Sequence, residues 1–226
     1  PSNFTAMNGH AITLDNTDND FQDAVTATGT GVSITAHDDL TIDTLNNGSN
    51  GTVSLIAGGA LLLPSGAIDT GTADLTLAAN GGTLIAPGAL SGANVTLSSQ
   101  GDITLSDAVK ATGTLSLTSL AGAIGQSTGS LTAAELIGGS NGITLLAGTN
   151  YIDSLGDFSA SGFSLTNSKA LAVDGVVDGS SSTALTTLAG DLAINGTLKG
   201  TTVTLTSAGA IGEGASGVIE AATLTG

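Results

Sequence analysis

The residues that could carry chemistry in this chain begin with two groups of aspartate near its N-terminus. They are Asp15, Asp18, Asp20 and Asp23, followed by Asp38, Asp39 and Asp43. Asp18 precedes Asp39 by 21 residues, and Asp23 precedes Asp43 by 20. If the chain returns on itself with that period, the carboxylates stack about 5 Å apart, and Ca²⁺ would relieve their repulsion because it prefers oxygen ligands. The alternative is that the aspartates occupy exposed turns where water screens them.

Catalytic arrangements have few residues to draw on. Enzymes that cleave polysaccharides on a parallel β-helix need a cation near clustered carboxylates, yet the chain has three lysines and no arginine. Lys110 and Lys199 occupy equivalent positions of an internal repeat, which indicates a repeated surface feature. A Ser-His-Asp arrangement could use only His10 or His37, and no serine lies in a recognisable strained turn. We therefore assign no catalytic, cofactor-binding or metal-ligating residue, and we expect a protein that is not an enzyme.

Composition excludes several classes of protein. The 226 residues include 34 glycines and no cysteine, and the net charge is −16. An acidic chain does not suit nucleic-acid binding, and the lack of cysteine excludes disulfide and zinc-finger frameworks. The longest apolar run, residues 55–63, is too short for a membrane span, which needs about 20 residues. The first residues lack the pattern of a signal peptide, so we expect a mature region or an excised fragment.

The polar residues predict an all-β protein. They are mainly Thr, Ser, Asn and Asp, which favour strands and turns, whereas Glu, Gln and Lys, the helix-favouring polar residues, occur only three times each. Aromatic residues make up 2% of the chain while apolar residues reach 40%. A core of Val, Leu, Ile and Ala indicates an interior narrower than that of an ordinary β-sandwich.

Short triplets with an apolar-polar-apolar pattern repeat along the chain. One series begins at Val32, Val53, Leu75, Val95 and Leu115, in steps of 21, 22, 20 and 20 residues. A second series begins at Leu40, Leu61 and Ile103. Because side chains alternate between the two faces of a strand, the apolar residues point one way and the central Thr or Ser points the other.

A longer repeat relates residues 101–138 to residues 190–226. Gly101-Asp102-Ile103 matches Gly190-Asp191-Leu192, and Gly-Ala-Ile-Gly at residues 122–125 returns at residues 209–212. The offset is 87 to 89 residues, or about four units of 22.

The turns between triplets leave two folds to compare. Asn-Gly begins at Asn8, Asn47, Asn50, Asn80, Asn141 and Asn195. Asn-Gly also marks antiparallel hairpins, so a sandwich of hairpins is the main alternative. The fixed period favours a single parallel β-solenoid over residues 1–226, with about 20–22 residues per coil and roughly 11 coils stacked about 4.8 Å apart. Its ends would be open strand edges, which are capped or paired in stable proteins.

The repeats resemble those of filamentous-haemagglutinin-like exoproteins of Gram-negative bacteria. The resemblance rests on residues 19–25 (NDFQDAV), residues 27–35 (ATGTGVSIT), residues 155–166 (LGDFSASGFSLT) and the Gly-Ala-Ile-Gly pair. It implies a right-handed parallel β-helix, secretion with an outer-membrane partner, and adhesion at the bacterial cell surface. The secretion-recognition region found at the N-terminus of that family is not evident.

Three functions follow as expectations. The first is a non-catalytic structural shaft of a secreted surface adhesin, located outside the outer membrane and contacting a cell surface or a glycan. The second is an extracellular fibril whose subunits associate with one another through the solenoid ends, and the third is a polysaccharide-acting enzyme. Thr-Gly-Thr at Thr28, Thr70 and Thr112 raises ice binding as a further alternative, although the glycine favours a turn.

Overall fold

The computed structural model describes residues 2–48 and 50–226, and it forms a parallel β-solenoid of about 11 turns. Every strand pairing between neighbouring coils is parallel across this part of the chain. The predicted solenoid is therefore confirmed, and the alternative of antiparallel hairpins is wrong. The described residues include no helix, and so none that is long and apolar enough to cross a membrane.

The strands are two to seven residues long up to residue 126, and beyond it four strands reach 8 to 17 residues while others stay short. The first fourteen are β1 Ser2–Thr5, β2 Ile12–Leu14, β3 Val25–Thr28, β4 Val32–Ala36, β5 Leu40–Asn46, β6 Val53–Ala57, β7 Leu61–Leu62, β8 Ile68–Asp69, β9 Leu75–Ala79, β10 Leu84–Ala86, β11 Leu90–Gly92, β12 Val95–Ser99, β13 Ile103–Leu105 and β14 Val109–Ala111. The others are β15 Thr114–Ser119, β16 Ile124–Gln126, β17 Leu131–Ser140, β18 Ile143–Ser159, β19 Gly162–Asn167, β20 Leu171–Val173, β21 Val176–Asp178, β22 Ser182–Thr187, β23 Leu192–Ile194, β24 Thr197–Ser207, β25 Ile211–Glu213 and β26 Val218–Thr225.

Residues at the same place in successive coils form three ladders in the first half of the solenoid. Ladder 1 is the first triplet series, in which Val32, Val53, Leu75, Val95 and Leu115 pair in register, as the spacing predicts. Ladder 2 is the second series and runs through Leu40, Leu61, Leu84 and Ile103. The sequence pattern missed Leu84, which fills the gap between the second and third predicted members.

Ladder 3 is the third side of each coil, and the triplet pattern did not reveal it. It runs through Ile68, Leu90, Val109 and Leu131. The strands that carry its first three members are only two or three residues long, and each has one large apolar residue. The triplet search could not detect them because a second large apolar residue is missing.

The interior is a narrow apolar tube, as the scarcity of aromatic residues predicts. Along β4 and β6 burial alternates with every residue, so Val32 and Ile34 point inward in β4 while Ser33 and Thr35 lie at the surface. Phe158 and Phe163 are the largest buried side chains, and their ring centroids lie 4.8 Å apart. Phe4 and Phe21 pack edge to face at 5.9 Å against the first coil. Aromatic contacts therefore occur where the tube begins and where its cross-section changes.

The cross-section changes between residues 131 and 159, where the short strands are replaced by β17 and β18. The pairing of Thr132 with Tyr151 places Asn150 beside Leu131, so ladder 3 continues with a buried amide in place of an apolar side chain. Asn150 pairs next with Asn167, and Asn167 with Thr187. From this point ladder 3 consists of polar residues. The strands of five to six residues lie on ladder 1 before the change and on ladder 2 after it.

A network of side-chain amides satisfies the polar groups buried at this change. Gln126 and Asn150 exchange two amide hydrogen bonds of 2.9 and 3.1 Å, and Asn150 Oδ1 also accepts from the Leu131 N–H at 2.8 Å. Asn167 accepts from the Ile152 N–H and donates to the Ile152 carbonyl. Because a buried polar group without a partner is destabilising, this pairing is what allows a polar ladder to continue inside the tube.

The change of cross-section also displaces the long sequence repeat by one side of the coil. Ladder 2 continues from Ile103 through five further coils to Val203, a span of 100 residues. The sequence counterpart of Val203 is Leu115, 88 residues earlier, and Leu115 lies in ladder 1. Four coils from Ile103 lead to Thr183, 80 residues later, and five coils lead to Val203, 100 residues later. The 88-residue offset of the sequence repeat therefore lies between four and five coils. Equivalent residues of the repeat therefore do not stack on one another.

Aspartates at corners of the solenoid connect several coils to the next. The carboxylates of Asp39, Asp102 and Asp191 accept the N–H of Ala60, Ala123 and Ala210, respectively, at 2.7–2.8 Å. Each donor alanine follows a glycine on which a Cβ would lie 2.1–2.4 Å from the same carboxylate oxygen. The Gly-Ala-Ile-Gly motif is thus the partner of an aspartate in the preceding coil, which gives a structural reason for its recurrence.

The two glycines of one Gly-Ala-Ile-Gly motif supply a matched test of this corner. A Cβ on Gly122 would lie 2.4 Å from Asp102 Oδ1, whereas a Cβ on Gly125 meets nothing within 4 Å. We expect Gly122→Ala to lower the free energy of unfolding by about 1–3 kcal/mol, because the corner must shift and strain its hydrogen bond. Gly125→Ala should change it by less than about 0.5 kcal/mol. Chemical denaturation of both variants measures the difference, and equal effects would contradict the assignment.

Candidate functional site

The most prominent concave surface is a groove on the outside of ladder 1, at the change of cross-section. Its volume is about 860 Å³. It is lined by β15, β17 and β18 together with the turn after β20, through residues that include Ser116, Glu135, Gly139, Asp157 and Asp174. The groove forms because the pairing of β17 with β18 shifts register between Leu136 and Gly138, which bends the surface inward.

Glycine keeps the floor of this groove open. Gly138 has φ +142°, and a Cβ there would lie 1.8 Å from the Leu117 carbonyl oxygen, so no other residue fits. A Cβ on Gly156 would lie 2.8 Å from Glu135 Oε1. At both positions the neighbouring coil leaves no room for a side chain, so backbone lines the groove there.

The polar groups of the groove are hydroxyls and carboxylates, and no lysine or arginine lines it. Two of its carboxylates already accept hydrogen bonds from the next coil. Asp157 Oδ1 accepts the Val176 N–H at 2.8 Å, and Asp174 Oδ1 accepts from Asn195 Nδ2 at 2.9 Å. The surface can therefore accept hydrogen bonds from a neutral or cationic polar ligand, but it would repel an anionic one.

The N-terminal aspartates do not stack as the calcium hypothesis requires. The Asn19 carbonyl accepts the His37 N–H, so the neighbouring Asp18 lies beside that part of the next coil and not beside Asp39. β3 pairs Val25 with Ile42 and Thr26 with Thr44, which leaves Asp43 in a bulge between the two pairs and out of register with Asp23. Within residues 2–48 and 50–226, no three His, Asp or Glu side chains come close enough to hold a metal ion.

Two of the three lysines lie beside an acidic residue of a neighbouring coil, and the third lies two coils from one. Lys169 Nζ bonds to Asp153, and Lys199 Nζ lies 3.2 Å from Glu220. Lys110 pairs with Ser91 in the preceding coil, and Ser91 in turn pairs with Asp69. Lys110 and Lys199 therefore occupy different surroundings despite their equivalence in the sequence repeat. In each case the cation offsets part of a stack of negative charge.

The two histidines are remote from any catalytic arrangement in the described part of the chain. His37 Nδ1 lies 3.0 Å from Asp38 Oδ1, and both side chains are more than 60% exposed. His10 contributes its backbone carbonyl to the Thr30 N–H. No serine or threonine hydroxyl of the described residues is hydrogen-bonded to either ring.

The Thr-Gly-Thr motifs lie in turns, as the glycine predicts. Thr70 is buried and donates through its hydroxyl to the Ala73 carbonyl at 2.7 Å, while Gly71 has φ +61°. Thr72 donates to Asn50 Oδ1 in the preceding coil. These threonines are used in turn hydrogen bonds and do not form a continuous flat array.

Asp69 is an acidic residue whose pKa is lowered by its surroundings. The Ser91 hydroxyl donates to Asp69 Oδ1 at 2.7 Å and the Gly71 N–H at 2.9 Å, and both bonds favour the ionised form. Desolvation raises the pKa by less than these bonds lower it, and the positive charge of Lys110, two coils away, lowers the pKa by a smaller amount again. Ser91 of the next coil thus favours the ionised form of Asp69.

The Ser91 bond to Asp69 gives a prediction that can be measured in solution. Because the pKa of Asp69 is lowered in the folded state, its contribution to stability is present above its ordinary pKa and is lost as pH falls through the folded value. We expect Ser91→Ala to raise the pKa of Asp69 toward the ordinary value, and Lys110→Met to raise it less. Carboxyl NMR titration measures both variants, and an unchanged pKa in Ser91→Ala would contradict this account.

The geometry alone supplies the functional argument for this chain. Models of known protein families, curated proteins and solved structures give no match to it. The resemblance to filamentous-haemagglutinin-like repeats therefore stays an expectation drawn from the repeat residues.

Proposed function

We propose that this chain is a structural shaft segment of a secreted bacterial surface adhesin, which holds a binding region away from the cell. The observation that carries the proposal is the parallel pairing of each coil with the next from the first coils to the last, which continues across the register shift of β17 and β18. A mechanical shaft needs such pairing along its whole length, whereas an enzyme needs a local concentration of reactive groups.

The distribution of charge supports the same function. The aspartates at the corners accept hydrogen bonds from the next coil, and Lys169 and Lys199 lie beside acidic residues of neighbouring coils, so these groups serve contacts between coils. The remaining acidic residues give the rod a net negative charge, which keeps elongated molecules apart in solution. The groove on ladder 1 gives such a shaft a polar lateral surface for a neutral or cationic glycan or protein partner.

Surface exposure on the source bacterium tests the proposal. We expect antibodies raised against this chain to label intact cells, because an adhesin shaft lies outside the outer membrane. We expect deletion of the gene to reduce attachment of the cells to a surface. Labelling that requires permeabilised cells would overturn the proposal, and an antibody to a periplasmic protein is the control for cell integrity.

Assembly into fibrils is a second candidate function, and the last coil favours it. Ile211 and Leu224 are 48% and 57% exposed, and they line an apolar recess of about 490 Å³. An apolar surface at an unpaired strand edge is suited to receive another strand.

Electron microscopy over a range of protein concentrations separates this second function from a simple shaft. We expect end-to-end filaments whose length grows with concentration if the last coil receives a second molecule. Leu224→Asp should shorten them, because it places a charge on the apolar edge, while Leu188→Asp, at an exposed position on the side of the rod, is the control. Single rods at every concentration would contradict the fibril function and leave the shaft as the proposed function.

A further inference from the structure

The six Asn-Gly pairs of the chain are chemically similar but differ in how the fold holds them. In such a pair the glycine nitrogen can attack the asparagine Cγ, losing its proton as ammonia leaves the carboxamide, to form a five-membered succinimide. Water then opens either carbonyl of the ring and gives aspartate or isoaspartate. We propose that Asn8 is a site of this spontaneous deamidation and that the solenoid protects the other five pairs.

Three pairs are protected at the attacking nitrogen. The N–H of Gly81, Gly142 and Gly196 donates to a carbonyl of another coil, at 3.4, 2.7 and 2.8 Å, respectively. The nitrogen cannot reach the neighbouring Cγ until this bond breaks and the peptide rotates. The reaction at Asn80, Asn141 and Asn195 therefore requires local opening of the coil.

Two further pairs are protected at the carboxamide. Asn47 is 5% exposed, and its Nδ2 donates to the Gly51 and Asp69 carbonyls. Asn50 Oδ1 accepts from both the N–H and the hydroxyl of Thr72. The glycine after Asn50 is also buried, and a Cβ on it would lie 1.7 Å from the Thr30 carbonyl. Neither side chain is free to present its Cγ to the next nitrogen.

Asn8 has neither form of protection within the described chain. Asn8 and Gly9 are exposed and form a turn in which both have positive φ, at 58° and 77°. Neither the Asn8 carboxamide nor the Gly9 N–H makes a hydrogen bond to another described residue. Among the described residues, Thr30 supplies the hydrogen bonds at this turn: its hydroxyl donates to the Gly9 carbonyl and its N–H to the His10 carbonyl, both at 2.9 Å. Rotation of the Asn8–Gly9 peptide therefore breaks few interactions.

The structure also indicates what the reaction would change. Isoaspartate adds one atom to the backbone between Asn8 and Gly9, at the point where Thr30 bonds to the Gly9 and His10 carbonyls. The first coil would lose register with the second at this turn. The other coils keep their own pairing, so the effect should stay at the N-terminal end of the solenoid.

Peptide mapping by mass spectrometry of the folded protein, incubated at mildly alkaline pH, tests the proposal. We expect deamidation at Asn8 to be more than about tenfold faster than at any other Asn-Gly pair, since the bonded sites must first open. Asn80 should follow, because the N–H bond of Gly81 is the longest of the three. Fragmentation that distinguishes isoaspartate from aspartate should find both products at residue 8.

The controls separate protection by the fold from differences in local sequence. In denaturant, the six pairs should react at similar rates, and Asn8→Gln should remove the fast phase from the folded protein without creating another. Deamidation that appears at Asn80, Asn141 or Asn195 before it appears at Asn8 in the folded protein would overturn the proposal. Equal rates at all six pairs in the folded protein would also overturn it.

Discussion

Hydrogen bonding between the backbones of successive coils is the interaction on which this structure depends. Each strand donates and accepts along both of its edges, so a coil is stable only when its neighbours keep the same register. The register in turn determines which side chains enter the tube, because a shift of one residue would move Val and Leu to the surface. The apolar ladders and the coil pairing therefore stabilise the same arrangement.

The corners of the coil are where this register is most difficult to keep, and the chain uses specific residues there. An aspartate of one coil accepts the N–H of the next, and a glycine leaves room for the carboxylate. Where the cross-section changes, Gln126, Asn150 and Asn167 supply the hydrogen bonds that apolar residues cannot. Many of the acidic and amide side chains therefore belong to the scaffold, and few remain for reactive chemistry.

The same constraint connects the surface to the proposed function. A rod that repeats one coil has long, similar sides, and only an interruption in the repeat creates a distinct concave surface. The shift of register in β17 and β18 is such an interruption, and the polar groove lies directly over it. For a shaft that also contacts a partner laterally, this is the location that differs most from the rest of the rod.

Much of the fold could be predicted from the sequence, because the period of Val, Leu and Ile directly reflects the coil. The triplets at Val32, Val53, Leu75, Val95 and Leu115 determined ladder 1, and the composition determined the narrow, largely aliphatic tube. Ladder 3 needed the structure, because its short strands carry one large apolar residue each. The displacement of the 88-residue repeat also needed it, since coil length varies with bulges and corners that residue spacing alone does not specify. The prediction that Asp18 stacks on Asp39 was wrong for the same reason. The groove and the contrast between Asn8 and the other Asn-Gly pairs were decided by tertiary structure alone, because both depend on which backbone groups of neighbouring coils meet.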